Sequence, residues 1–400
     1  MSTIRKRTWT TRTGNPGEGW ILTYNDDEGK RRTRMFGMKK EAETARAEIM
    51  AELVTGIHTP DAYAPTVAQA TKAWLKNAEA RGFEATTLAG YRQRSRDHII
   101  PHLGQIKLSR LKPPEVQIFL DQRLEAGTSM ALVRMVRTDL VMLLNYAEAR
   151  GQVGRNAARP TKLPTATKRK ARVAIPSVAQ IRLLSKWLNT THNDAKLARL
   201  ARRAKPLLTL AWSAGLRASE LRGLAWSNLD LPGARVEINQ RADRFGIIGP
   251  CKSEAAYRVI PLPDACVTTL REWQLAATPN PDGLVFPNQA GRPQALNNLR
   301  RRLVLPVLTA AGLVVPAPTK ADPAAIKLAI DMPLHGMRHF AASAWIRQHC
   351  DMKQLQAWLG HGDIQMTYNT YGHLLERDPA QEAAFMARVE AYVLGDAPAD

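Results

Sequence analysis

The sequence predicts a multidomain chain: a small α+β N-terminal domain, an all-α helical domain, and a mainly α domain carrying a small β-sheet. Three observations lead there. At 400 residues, 44% of them hydrophobic, the chain is long enough to bury more than one core. Its first 40 residues alternate short extended stretches with Gly and Asn turns, the next hundred follow helical spacing, and the remainder mixes both. Finally, 57 Lys+Arg against 36 Asp+Glu leave a net charge of +21, which calls for a polyanionic partner. Nucleic acid is the first candidate and an anionic membrane surface the second.

Residues 1–40 hold ten Lys/Arg and four Asp/Glu. Gly14-Asn15-Pro16-Gly17 and Asn25-Asp26-Asp27-Glu28-Gly29 read as turns around extended stretches at 20–24 and 32–36, a basic meander of three strands. The Ala/Glu/Arg-rich pattern over 39–54, stopped by Gly56, predicts one helix packed on that sheet. Its charge fits either contact with DNA or plain solvation. After a spacer at 60–65, helices are expected at 67–81, 86–98, 112–125 and 129–150, broken by Gly82, Pro101, Gly104, Pro113-Pro114 and Gly127. In the last of them Leu132, Met135, Val136, Leu140, Leu143 and Leu144 recur at the spacing of a buried stripe. The stretch 155–172 holds seven Lys/Arg, two prolines and no acid, so 156–172 reads as an extended basic linker between domains.

From 173 onward helices are expected at 177–189, 196–215 and 218–225, then strands near 235–240 and 257–262 in a hairpin-like section, then helices to the end. The connection 312–334, with Pro316, Pro318, Pro323 and Pro333, is long. Cys251, Cys266 and Cys350 are widely spaced and contain no Cys-x-x-Cys, which suits reduced bystanders better than disulfides or a zinc cage. The chain has no stretch of about 18 apolar residues, and no apolar run follows the basic N-terminus. A cytoplasmic protein without a membrane partner is expected.

Five stretches of the third region stand out together: Ala214-Gly215-Leu216-Arg217-Ala218-Ser219-Glu220-Leu221; Cys251-Lys252-Ser253 with Arg258-Val259-Ile260-Pro261-Leu262; His335-Gly336-Met337-Arg338-His339; Leu359-Gly360-His361; and Thr370-Tyr371-Gly372-His373-Leu374. In this order they resemble the signature stretches of the tyrosine recombinase (phage integrase) family. The motif resemblance spans about 210–375. By domain plan it extends to the whole chain, with 1–60 resembling an arm-type DNA-binding domain, 65–155 the helical core-site DNA-binding domain, and 173–400 the catalytic domain with a C-terminal tail.

The chemistry can be argued beside the name. Cutting a phosphodiester without losing its bond energy requires a nucleophile that stays attached as a phosphoester, which a tyrosine does. Charge developing on the nonbridging oxygens suits bidentate guanidinium groups, and the leaving 5′ oxygen needs a proton that a lysine can supply. Arg217 and Glu220, three apart, share a helical face if both are helical, so the carboxylate can orient the guanidinium or merely cap. His335 and Arg338 are likewise three apart. The resemblance makes Arg217 and Arg338 the phosphate clamps, His335 and His361 hydrogen-bond donors or proton carriers, and Lys252 the general acid on a mobile hairpin tip. Arg241, Arg244 and Arg258 are competing basic residues of the same section. Chemistry alone does not choose between Tyr368 and Tyr371. The resemblance does, because the family's nucleophile lies nine or ten residues after the second histidine and Tyr371 is ten after His361. Tyr368 is then a core or orienting aromatic.

A zinc reading uses His335 and His339, four apart, with His349, His361 or His373 as a third ligand. Gly336 stands where a metallopeptidase needs its glutamate, which argues against it. Gly14 to Gly19 lack the Lys-Ser/Thr of a phosphate loop. The resemblance implies site-specific recombination of double-stranded DNA attachment sites through a 3′-phosphotyrosine, with no metal or nucleotide cofactor. It also implies a homotetramer assembled on DNA, domains closing around the duplex, accessory DNA-bending and directionality proteins, and a tail after Asp378 docked on a neighbour or on its own core. A non-catalytic DNA-binding regulator and a topoisomerase-like nicking and rejoining enzyme share the basic surface.

Overall fold

The computed structural model describes residues 2–10, 15–26, 28–56, 58, 60–61, 64–164, 175–316, 325–328, 333–374 and 379–394. It divides into two compact units, Met1–Arg169 and Lys170–Asp400.

In the first unit β1 (Thr3–Thr10), β2 (Pro16–Asn25) and β3 (Arg31–Phe36) form an antiparallel sheet in the order β1-β2-β3, with Thr3 opposite Thr23 and Trp20 opposite Phe36. The two-residue period of a strand turns Leu22 and Tyr24 to one face, where Ile49 of α1 (Lys39–Val54) covers them. Trp9 lies across β2: a Cβ at Gly17 would stand 2.7 Å from its indole. The turn after β2 is locked by Asp26, whose carboxylate accepts from the Lys30 amide at 2.8 Å and from Arg32 Nε at 2.7 Å.

The helical part contains α2 (Val67–Ala80), α3 (Ala85–Arg94), α4 (Ile100–Leu103), α5 (Pro113–Glu125) and α6 (Met130–Glu148). Pro101, expected to break the second helix, does not: it sits in the first turn of α4, which continues α3 through a π turn at Ser95–Ile99. The π turn shifts the backbone bonds just ahead of it, so the N–H that Pro101 lacks is absorbed there without ending the helix. Trp74, Ile99, Leu108, Phe119, Leu120, Val136, Leu140 and Leu144 fill the core; of the stripe read in α6, Val136, Leu140, Leu143 and Leu144 are buried, Leu132 is partly buried against them and Met135 is 45% exposed.

Residues 156–164, expected as extended linker, instead pack on α6. Asn156 Nδ2 donates to Val141 O at 2.8 Å, Arg137 Nε to Thr161 O at 3.1 Å, and Ala157 and Ala158 are buried. Two small apolar residues and an Asn anchored this segment where its charge suggested solvent. Lys168, Arg169, Lys170 and Arg172 of the linker lie outside the described residues, as do Gly14, Pro318, Pro323 and Asp378.

In the second unit α7 (Val178–Asn189) and α8 (Ala195–Ala214) pack together and α9 (Ala218–Gly223) follows. Then β4 (Leu229–Asp230), β5 (Arg235–Ile238) and β8 (Arg258–Pro261) form an antiparallel sheet in the order β4-β5-β8. The expected strands at 235–240 and 257–262 do pair, but a second hairpin, β6 (Gln240–Ala242) with β7 (Ile248–Pro250), is inserted between them. Next come α10 (Asp264–Ala276), α11 (Leu296–Leu299), α12 (Leu305–Ala310), and β9 (Val314–Pro316) paired with β10 (Ile326–Leu328). The long connection thus contains a small hairpin. α13 (Pro333–Arg347), α14 (Met352–Leu359), α15 (Ile364–Tyr371) and α16 (Pro379–Leu394) complete the unit. Leu207, Leu208, Ala211, Val236, Ile260, Leu270, Val304 and Met337 form the main core, and Ala342, Ile346, Leu355, Leu359 and Tyr371 a smaller one. Phe385, Val389, Tyr392 and Val393 of the tail helix are all exposed. Among the described residues no helix is long and apolar enough to cross a membrane.

Candidate active site

Two left-handed glycines build the site. Gly215 ends α8 at φ 59°, and a Cβ there would stand 3.2 Å from Ala341 and 3.3 Å from the Trp345 ring, so α8 and α13 approach closely at this turn. Its carbonyl accepts from Arg338 Nη1 at 2.8 Å. Gly360 ends α14 at φ 63°, and its carbonyl accepts from Arg217 Nη2 at 2.8 Å. The preceding carbonyl, of Leu359, accepts from Arg338 Nη2. Helix-end carbonyls left without intrahelical partners thus hold two guanidinium groups from distant parts of the chain.

Arg217 and Glu220 do not share a helical face as the spacing suggested. Arg217 is extended (φ −68°, ψ 150°) and caps α9, and Glu220 in the first turn accepts its backbone N–H at 2.8 Å and its Nη1 at 2.8 Å. The same carboxylate takes Arg258 Nη1 at 3.0 Å and Nη2 at 2.8 Å. Burial pushes the Glu220 carboxyl up, but the bonded charge of Arg258, with Arg217 and Arg338, pulls it down to about 2. Arg258 Nε also donates to Trp358 O at 2.7 Å, so the β8 strand and the end of α14 are tied at one point. By residue type Arg258 is one of three basic residues of this hairpin section, and the stretch Arg258–Leu262 carries no role for it by itself. Its signal was alternation, since it shares the inward face of β8 with Ile260.

Arg338 is 2% exposed, and burial together with the charge of Arg217 lowers it to about 9. Its Nη2 lies 3.2 Å from His361 Nε2, while His361 Nδ1 lies 2.9 Å from Thr367 Oγ1. A guanidinium only donates, so Nε2 is the acceptor and Nδ1 carries the proton. Burial and the charges of Arg338, Arg217 and Arg258 hold His361 down at about 4, hence neutral. His335 lies at the rim on α13, its pKa lowered by partial burial and by Arg338 and Arg217.

Tyr371 is 1% exposed; Tyr368 is 47% exposed. Burial lifts the Tyr371 phenol to about 12 against the downward pull of Arg338 and Arg217. Its hydroxyl lies 2.7 Å from His339 Nδ1. His339, which closes the His335–His339 stretch and has no role in the sequence beyond half of a zinc pair, thus lies against the candidate nucleophile, a contact that spacing could not show. No group of three His, Cys, Asp or Glu suited to a metal ion is found among the described residues.

Lys252 is exposed and follows β7, outside the expected hairpin tip, which is formed by 243–247. Its neighbour Cys251 feels the charges of Glu220, Arg258 and Arg217 after the larger effect of burial, so this segment borders the cluster. Arg217, His335, Arg338, His361 and Tyr371 thus meet in one network, with Lys252 at its edge. Three guanidinium groups against one carboxylate leave two positive charges beside a tyrosine.

Comparison with known proteins points the same way. Residues 180–377 match the phage integrase family and residues 66–122 the phage integrase N-terminal SAM-like domain. The chain belongs to the tyrosine recombinase (phage integrase) family. Among the relatives of this family member, a tyrosine recombinase XerC-like protein of Caldanaerobacter subterraneus subsp. tengcongensis is 23% identical over 387 residues, covering 89% of this chain and 92% of the relative. In fold the chain is similar to the Tn1549 transposon integrase solved with transposon right end DNA (TM-score 0.62, 19% identity, 82% of this chain and 100% of that one). It is also similar to a lambda integrase tetramer bound to a Holliday junction (TM-score 0.54, 18% identity, 89% and 95%).

Proposed function

We propose that this chain is a site-specific DNA recombinase, the integrase of a mobile element such as a prophage, which cuts and rejoins DNA through a 3′-phosphotyrosine. The observation that carries the reading is the convergence of a buried phenol, two carbonyl-held guanidinium groups and a neutral histidine on one spot with surplus positive charge. Arg217 and Arg338 clamp the scissile phosphate, His335 bonds its oxygens, and His361, whose Nε2 accepts from Arg338, steadies that clamp. Tyr371 attacks phosphorus, and Lys252 protonates the departing 5′ oxygen. Because one phosphoester replaces another, exchange is nearly isoenergetic and calls for neither metal nor nucleotide; direction comes from binding.

Exchange of two duplexes takes four cleavages, so we infer four copies assembled on DNA, with accessory bending and directionality proteins setting the outcome. The exposed apolar face of α16 suits docking on a neighbouring copy. Residues 1–60 serve as the arm-type DNA-binding domain, 65–155 with the packed segment 156–164 as the core-site domain, the remainder of the basic stretch to 172 as the linker and 173–400 as the catalytic domain. The charge of +21 makes phosphate contact and steep salt dependence the expected mode of binding.

The test is a nicked suicide duplex carrying the sequence that the protein selects from a random pool. A covalent adduct lost in Tyr371→Phe and kept in Tyr368→Phe is expected. Tight binding without an adduct would instead make the chain a regulator, and relaxation of supercoiled DNA without strand exchange would make it a topoisomerase-like enzyme.

A further inference from the structure

We propose that His339 is the group that takes the proton from Tyr371 as the tyrosine attacks, an inference that rests on the recombinase reading above. The phenol must lose its proton to become a nucleophile, and the solvent cannot take it: Tyr371 is 1% exposed and His339 4%. His339 Nδ1, at 2.7 Å from the phenol oxygen, is in place to accept it. The two rings are tilted by 57° with centroids 5.5 Å apart, so the contact runs through the edge atoms and not by stacking.

The rest of the ring's surroundings keep it neutral until substrate arrives. Its other nitrogen, Nε2, is buried and without a hydrogen-bond partner among the described residues. A buried N–H without an acceptor gives an imidazolium no stabilisation, so the ring stays neutral in the empty site. With Nδ1 accepting from the phenol, Nε2 carries the ring's proton. The groups facing His339 are Tyr371 from α15, His361 from the turn after α14 and, from its own helix, Arg338 and His335, whose ring stands edge-on with centroids 4.3 Å away. Burial and then these neighbours keep His339 neutral, with a pKa near 4, against a phenol near 12. In the empty site proton transfer is therefore strongly uphill, and the nucleophile is held safe. A phosphate anion seated on Arg217 and Arg338 cancels the charges that oppose an imidazolium, so the acceptor becomes competent as substrate arrives.

The step balances without any further reagent. The Oη–H bond of Tyr371 breaks and its proton moves to His339 Nδ1. The Oη–P bond forms as the P–O5′ bond breaks, and the 5′ oxygen takes a proton from Lys252. Religation runs the same transfers backward, returning the proton from His339 to Tyr371.

The experiment measures single-turnover adduct formation on the suicide duplex. His339→Asn sets an amide oxygen near the place of Nδ1, keeping an acceptor for the phenol while removing its basicity. A loss of ~10²–10⁴-fold in rate is expected, the range for general-base catalysis, with DNA binding and melting temperature near wild type. Wild-type rate should be level above about pH 7, whereas the variant should climb roughly tenfold per pH unit, because without the base only the small ionised fraction of the phenol reacts. Wild-type rate and pH profile in His339→Asn would overturn the proposal while leaving the recombinase reading intact, provided Tyr371→Phe abolishes the adduct. An adduct absent from the wild type, or surviving in Tyr371→Phe, overturns both. If His339→Asn fails to fold, His339→Gln is read by the same two measurements.

Discussion

Glu220 takes both terminal nitrogens of Arg258, at 3.0 and 2.8 Å, in a pair whose side chains are 4% and 3% exposed. The pair joins α9, which starts at one proposed phosphate clamp, to β8, whose Arg258 reaches the turn before His361. It therefore sets the spacing of groups that are more than a hundred residues apart in sequence.

Removing one partner leaves a desolvated charge. Glu220→Gln should destabilise the second unit by about 3–5 kcal/mol in urea titration, the range for breaking a buried ion pair. A loss below about 1 kcal/mol, the scale of surface pairs, would show that the pair is structurally dispensable.

Acid should weaken the fold, and the sign follows from three groups. Glu220, ordinarily 4.5 and about 2 when folded, adds stability present above 4.5 and lost as pH falls toward 2. His339 and His361, ordinarily 6.5 and about 4 when folded, are neutral in the native state, so between 6.5 and 4 the unfolded chain binds more protons and stability falls with pH. Near pH 5 each histidine should contribute a slope of about 1.4 kcal/mol per pH unit. Urea midpoints compared at pH 7 and pH 5 check the sum, and His361→Gln should remove roughly half of the histidine slope.

Lys252 is exposed, so Lys252→Ala should melt like the wild type. As the proton source for the leaving oxygen it should be needed only when that oxygen needs a proton. Cleavage of an ordinary suicide duplex should fall by ~10²–10⁴-fold, and a duplex with sulfur in the bridging 5′ position should restore it, because a thiolate leaves unprotonated. Restoration of His339→Asn by the same duplex would contradict the division of labour between the two.

Gly360 has φ 63°, and a Cβ there would come within 2.9 Å of Ala255 O and 3.1 Å of Arg258. Gly360→Ala should cost about 1–3 kcal/mol in backbone strain and reduce adduct formation more than DNA binding, since the turn carries His361 and one carbonyl of the arginine cradle. Unchanged cleavage kinetics would mean that the cradle tolerates displacement.

Much of this was readable from residue order. The helix at 39–54, the strand pairing around 235–262 and the helices at 177–189 and 196–215 follow from periodicity and from punctuation by Gly and Pro, which act over a few residues. The five motif stretches named the family because residue type and spacing are themselves sequence properties. Other features escaped. Pro101 read as a break, though the π turn ahead of it absorbs its missing N–H. The charges of 155–164 hid Ala157 and Ala158, whose burial depends on a groove on α6.

Sequence thus settled the family, the order of elements and a set of polar residues worth watching. Folding decided which of these meet. Glu220 selects Arg258 over Arg241 and Arg244, and His339 lies against Tyr371 because α13 and α15 bring together side chains 32 positions apart. Proton affinities were likewise beyond the sequence, since they depend on how much water each group loses and which charges stand beside it, and both are properties of the packed chain.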